Sequence, residues 1–189
     1  MKAVPNTRYL LFGGIVLVGC TVDLLTKHWV FASLGMPHQR PSYWLWNEIF
    51  GFTTSLNEGA LFGIGQGRGL LFSGLSVIAA TGIVYWLFVA KAAQDLLLTI
   101  ALGSVTAGIF GNLYDRLGLP DLKWGADGVH QGGQSVYAVR DWLHFKVDHV
   151  IDWPIFNIAD SLLVCGAALL VWHALRVEPT SAHAGVAER

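Results

Sequence analysis

The chain has 189 residues, 53% of them hydrophobic and only 13% charged, with a mean hydropathy of +0.50. Soluble domains carry about twice that share of charge, so disorder is excluded and a soluble globular enzyme disfavoured. A formal net charge of -1 supplies no basic field to recruit nucleic acid. Aromatic residues make up 12% of the chain, including 8 Trp, as suits a protein whose amphipathic rings sit at membrane interfaces.

Four segments are long and apolar enough to cross a bilayer, which takes roughly 20 residues. In chain order they are about Tyr9–His28, Gly69–Ala90, Leu96–Tyr114 and Ile155–Leu175. The second and third are joined by a short link containing Lys91 and Asp95, which predicts a helical hairpin. The fold expected is therefore an all-α integral membrane protein. It has four transmembrane helices, a small extracytoplasmic β-like region and an amphipathic loop, all in one polytopic domain spanning residues 1–189. The tail Glu178–Arg189 is polar and small and reads as a frayed end.

Lys2, Arg8, Lys91, Arg176 and Arg189 crowd the short flanks on one side of the spans. Lys27, Arg40, Arg68, Arg116, Lys123, Arg140 and Lys146 are spread over two long loops on the other. The density of positive charge places both termini inside and the long loops, about Trp29–Arg68 and Asp115–Pro154, outside. In the first loop Glu48–Gly63 alternates partly like a strand and turns at Asn57-Glu58-Gly59. Trp44 and Trp46 precede it and suit lipid headgroups.

The first span admits a second reading. Leu17-Val18-Gly19-Cys20 after an apolar run resembles the end of a lipoprotein signal, which would lipidate Cys20 and remove the span. The apolar stretch continues through Val22, Leu24 and Leu25, however, and three more spans follow. Cys20 and Cys165 are accordingly read as two buried free thiols, too few for a disulfide scaffold.

Ionisable groups inside spans mark function or pairing. Asp23 and Lys27 stand one turn apart and can neutralise each other as a structural anchor. Asn112, Asp115 and Arg116 follow at i, i+3, i+4 at the outer end of the third span. A bland reading pairs Asp115 with Arg116 but leaves Asn112 unexplained. Gly103, Ala107 and Gly111 form a small-residue seam on the same span, open to close helix approach. In the fourth span Asn157 and Asp160 are again i, i+3, and Asp160 needs a partner or a proton. Candidate carboxylate partners are Asp121, Asp127, Asp141, Asp148 and Asp152. The apolar flanks Val139, Trp142, Leu143 and Phe145 set Asp141 at the membrane surface, whereas Asp121 and Asp127 lie in Gly-rich polar sequence.

Taken together, the segments Asp23-Leu24-Leu25-Thr26-Lys27, Asn57-Glu58-Gly59-Ala60-Leu61-Phe62-Gly63, Gly111-Asn112-Leu113-Tyr114-Asp115-Arg116, Val139-Arg140-Asp141-Trp142-Leu143 and Pro154-Ile155-Phe156-Asn157-Ile158-Ala159-Asp160-Ser161 resemble the signal peptidase II family, the lipoprotein signal peptidases. Each is weak alone; five in the family's order across four spans are specific. The resemblance implies an intramembrane aspartyl endopeptidase of the bacterial plasma membrane. Its substrates are diacylglyceryl-modified prolipoproteins, its surroundings membrane lipid, and it cleaves just before the lipidated cysteine. It implies no metal and no organic cofactor. The catalytic pair maps to Asp141 and Asp160. Asn57, Gly59, Asn112, Asp115, Arg116 and Asn157 map to positions that shape the site and hold substrate, and Asp23 and Lys27 are structural.

One departure is the polar, Gly-rich insertion Leu117–Arg140, where the family has a short link. The Val-x-Asp-Trp-Leu flanks select Asp141 over Asp127 and Asp148, with Trp142 where the family usually has Phe. The insertion is expected to be a surface excursion outside the catalytic machinery, the alternative being a lid or a substrate dock. The rival function is a small proton-coupled transporter using Asp23, Asp115 and Asp160 as relay carboxylates, which predicts repeated halves that the sequence lacks. A third is a structural four-span subunit, which would not need so many polar faces at the outer ends.

Overall fold

The computed structural model describes residues 3–46, 49–59, 65, 67–126 and 129–176. Lys2, Glu48, Ala60–Gly63, Asp127, Glu178–Arg189 and the role given to each above lie outside the described residues. Among those described, four helices are long and apolar enough to cross a membrane. They are α1 (Asn6–Leu34), α2 (Gly69–Val84, prolonged by a π turn over Tyr85–Val89), α3 (Leu96–Arg116) and α4 (Ile158–Arg176).

The helix ends follow local chemistry. Gly35, at φ 78°, stops α1 and returns its N–H to Phe31 O, a conformation that costs glycine little. Lys91 turns the α2–α3 hairpin in a left-handed conformation, and Asp95 then caps α3 by accepting the Leu98 N–H at 2.8 Å. The fourth span begins at Ile158 rather than near Ile155. Asn157 accepts the Asp160 N–H at 2.9 Å, and the Asp160 carboxylate accepts the Asn157 N–H at 3.2 Å. This reciprocal pair satisfies two of the helix's orphan donors.

Helix α3 is the central element, with most of its buried positions covered by α1 and α4. Its glycines are where the neighbours come closest. A Cβ at Gly108 would lie 2.5 Å from Ala159 O, and one at Gly111 would collide with the Asp23 carboxylate. Gly111 of the seam read from the sequence, with Gly108 beside it, thus does more than admit a helix; it brings α1, α3 and α4 together at their polar ends.

A four-stranded antiparallel sheet lies at that same end, in the order β1 (Tyr43–Trp46), β2 (Phe50–Asn57), β3 (Val139–Val147), β4 (Ile151–Asp152). In the β2–β3 register Ser55 faces Asp141 and Asn57 faces Val139, after an irregularity between Phe52 and Ser55. Trp142 and Leu143 donate to Phe156 O at 2.9 and 2.7 Å, tying β3 to the entry of α4. Val30, Phe31, Trp142 and Leu143 form the apolar core between α1 and the sheet. Tyr43, Leu45 and Trp46 are exposed on β1, matching an interfacial aromatic belt.

The cysteines differ from expectation. Both are free, but Cys20 is only partly buried and Cys165 is exposed. Cys165 lies on an exposed face of α4, so an apolar run in a sequence does not by itself imply burial against protein.

Candidate active site

The polar site is assembled where α1, α3, α4 and β3 meet. Lys27 is fully buried and contacts three side chains at once. Its Nζ lies 2.7 Å from Asp23 Oδ2, 3.1 Å from Asp115 Oδ2 and 2.9 Å from Asn112 Oδ1. The i,i+4 pair within α1 is thus one edge of a larger cluster. Asp23 also accepts the Ala159 N–H at 2.8 Å, meeting another orphan donor of α4.

Asp115 does not pair with Arg116. Residues adjacent on a helix point about 100° apart, and Asp115 turns inward to Arg140. Arg140 Nε and Nη2 donate to Asp115 Oδ1 at 2.9 and 2.8 Å, and the Arg140 N–H donates to Oδ2 at 3.1 Å. Two buried acids, Asp23 and Asp115, therefore face two buried bases, Lys27 and Arg140, a balanced arrangement that ion burial requires. Arg116 turns the other way and donates to Gly59 O at 2.9 Å.

Two asparagines carry this network to the carboxylates. An ammonium can only donate, so Lys27 draws Asn112 Oδ1 towards itself. The amide end of Asn112 is then turned to Asp160, donating to Oδ1 at 2.8 Å. Likewise the Asp160 N–H fixes Asn157 Oδ1. Asn157 Nδ2 then donates to Asp141 Oδ1 at 2.6 Å and to Asn112 Oδ1 at 3.2 Å. Asp141 and Asp160 are thereby joined through side-chain amides whose polarity is set by the Lys27 ammonium and the Asp160 backbone N–H.

Asp141 is 2% exposed, within β3 rather than at an open membrane surface. Burial and the neighbouring Asp160 carboxylate push its carboxyl up to about 8, against the opposing pull of Lys27 and hydrogen bonds from Asn157 and Asn57. Asn57 closes the end of β2 and accepts the Gly59 N–H at 2.9 Å. Every described residue singled out as a site candidate except Asp121, Asp148 and Asp152 converges here. Those three are exposed and paired at the surface, with Lys123, Lys146 and His144, each at 2.8 Å.

A cleft of about 260 Å³ opens beside Asp160, lined by Phe72, Leu75, Ser76, Ala79, Ile109, Asn112, Arg116 and Leu163. Its apolar wall comes from Phe72, Leu75 and Ala79 of α2 with Ile109 of α3 and Leu163 of α4, and the Arg116 guanidinium stands over the Phe72 ring at 5.6 Å. Among the described residues no three His, Cys, Asp or Glu side chains form a group that could hold a metal ion. Sequence reasoning gave Arg140 no role in the site, although an arginine directly before a buried aspartate is a signal that it needs a buried acid of its own.

Residues 15–176 match the family model of signal peptidase (SPase) II. The lipoprotein signal peptidase of Rhodopirellula baltica is 46% identical over 169 residues, covering 89% of this chain and 73% of that protein. That of Rhodococcus jostii is 34% identical over 186 residues, covering 98% and 83%. A solved bacterial membrane enzyme superposes with a TM-score of 0.70 at 25% identity over 98% of both chains. With four apolar helices of spanning length and a family match over most of its length, the chain is a multi-pass membrane protease and belongs to the signal peptidase II family.

Proposed function

We propose that this protein removes signal peptides from prolipoproteins by aspartyl chemistry, with Asp141 and Asp160 as the reacting pair. The observation that carries the reading is the amide link between them. Asn157 donates to Asp141 while capping the helix that presents Asp160. Two carboxyl groups sharing a buried site cannot both ionise cheaply, so the pair holds one proton near neutral pH.

The ionised member takes a proton from a water molecule as that water's oxygen attacks the scissile carbonyl carbon. The neutral member gives its proton to the carbonyl oxygen. The resulting gem-diol collapses when the amide nitrogen is protonated and the C–N bond breaks. The products are a signal peptide with a new carboxyl end and a lipoprotein with a new amine. The roles belong to the pair, since coupled carboxylates titrate together.

Asn57, Gly59, Asn112, Arg116 and Asn157 then shape the site, while Asp115, Asp23 and Lys27 hold its charge balance. The bond cut lies just before the cysteine that bears diacylglycerol, whose chains rest in the bilayer beside the cleft. The whole chain acts as one polytopic domain, with both termini cytoplasmic and the site near the outer face of the bacterial plasma membrane. The relay reading of Asp23 and Asp115 gains nothing, because both are committed to buried cations.

The test is to incubate the purified protein with a diacylglyceryl prolipoprotein and read the product's new N-terminus by mass spectrometry. The reading expects the lipidated cysteine as residue one. Cleavage elsewhere, or none, would refute it.

A further inference from the structure

The described residues of the insertion that follows α3 form local structure. Residues 122–124 and 134–136 pair as a short antiparallel hairpin, with Lys123 bridged to Ser135. The Trp124 N–H donates to Gln134 O at 2.8 Å and the Val136 N–H to Leu122 O at 3.0 Å. On this hairpin the Trp124 and His130 rings stack face to face, with centroids 3.7 Å apart and planes within 2°. His130 Nε2 reaches across to Glu58 Oε1 at 3.4 Å, with both side chains mostly covered. The insertion therefore touches the residue that stands between Asn57 and Gly59.

Glu58 sits between two residues that the site uses. Asn57 hydrogen-bonds to Asp141, and Gly59 O receives Arg116 at the cleft. Glu58 and Gly59 lie outside any helix or strand, and what fixes them decides how well those groups are aligned. Stacking on Trp124 fixes the plane of the His130 ring, so the hairpin presents a pre-oriented group to Glu58.

We propose that the hairpin braces the loop after β2, with His130 and Trp124 as positioning residues that hold Glu58, and through it Asn57 and Gly59, against the cleft. The proposal rests on Asp141 and Asp160 being the reacting pair. It makes the insertion part of how this chain aligns substrate with the carboxylates.

The test uses the full-length protein in detergent micelles with His130→Ala, His130→Gln and Trp124→Ala. Deuterium exchange at the buried Gly59 amide is read together with the pH profile of prolipoprotein cleavage. His130→Ala and Trp124→Ala should speed exchange roughly tenfold, the worth of about one hydrogen bond. They should also move the alkaline limb of activity to higher pH, because a loosened Asn57 no longer favours the ionised form of Asp141. His130→Gln, which keeps a donor within reach of Glu58, should restore most of both. General destabilisation would speed exchange at buried amides throughout and leave the pH limb in place, and that result, or unchanged Gly59 exchange in the folded variants, overturns the brace. If the unaltered protein cleaves nothing, the peptidase reading fails, while the exchange measurement still decides whether the brace exists.

Discussion

Asn157 donates a 2.6 Å hydrogen bond to Asp141 and caps the helix that carries Asp160. One side chain thus aligns a strand-borne carboxylate with a helix-borne one, and the two tasks are separable. Asn157→Ala should lose both, costing about 1 kcal/mol of stability as a lost cap and at least about tenfold in kcat as a lost hydrogen bond to the reacting pair. Asn157→Ser keeps a capping oxygen and should recover the melting temperature but not the rate. Recovery of both by Ser would mean that Asn157 acts through α4 alone.

The raised Asp141 carboxyl sets the sign of the pH dependence. Its proton is held from the ordinary 3.8 up to about 8. Activity that needs one proton on the pair should fall about tenfold per pH unit above that limb. Over the same window the folded protein binds a proton that the unfolded chain has released, so stability should decline as pH rises from about 4 to about 8 and then level off. Rate measurements from pH 5 to pH 10, with thermal melts alongside, check both. A rate rising through pH 8 and 9 would contradict the assignment.

Lys27 balances Asp23 and Asp115 and fixes the polarity of Asn112. Lys27→Met should leave an excess buried negative charge and destabilise the protein by about 3–5 kcal/mol. Folded material obtained at low temperature should still be slow, because Asn112 is then free to turn its oxygen towards Asp160. Melting curves and single-turnover rates measure the two effects separately. A stable, fully active Lys27→Met variant would remove Lys27 from the account.

How much of this was legible in the sequence depended on distance along the chain. The spans are runs of apolar residues, and Asn157 with Asp160 is a helical spacing, so both are local signals. The apolar flanks of Asp141 were legible too, but not the strand pairing that buries it, since β2 and β3 are far apart in sequence. The i,i+4 spacing revealed Lys27 with Asp23 but not its bonds to Asn112 and Asp115, because spacing rules see one helix at a time. For the same reason the bland pairing of Asp115 with Arg116 could not be told from its actual bonds to Arg140 on β3 and Lys27 on α1. The His130–Glu58 contact spans 72 positions and joins two loops, where no periodicity exists to be read.

The cleft wall of Phe72, Leu75, Ile109 and Leu163 places an apolar surface next to Asp160. Acyl chains that stay in the bilayer bring about 0.8 kcal/mol per buried CH₂ to the substrate's side of the equilibrium. An unlipidated prolipoprotein should therefore have a KM at least about a hundredfold higher, or show no turnover. Steady-state rates on matched substrates with and without diacylglycerol decide this, and equal values would contradict it.

The central claim is that Asp141 and Asp160 act together. Its most direct test is cleavage of a diacylglyceryl prolipoprotein by Asp141→Asn and Asp160→Asn, each purified from membranes and shown to melt like the unaltered protein. An Asn at either position is close in shape and can neither give nor take the proton, so each single variant should lose all measurable cleavage. Near-normal turnover by either variant would contradict the claim.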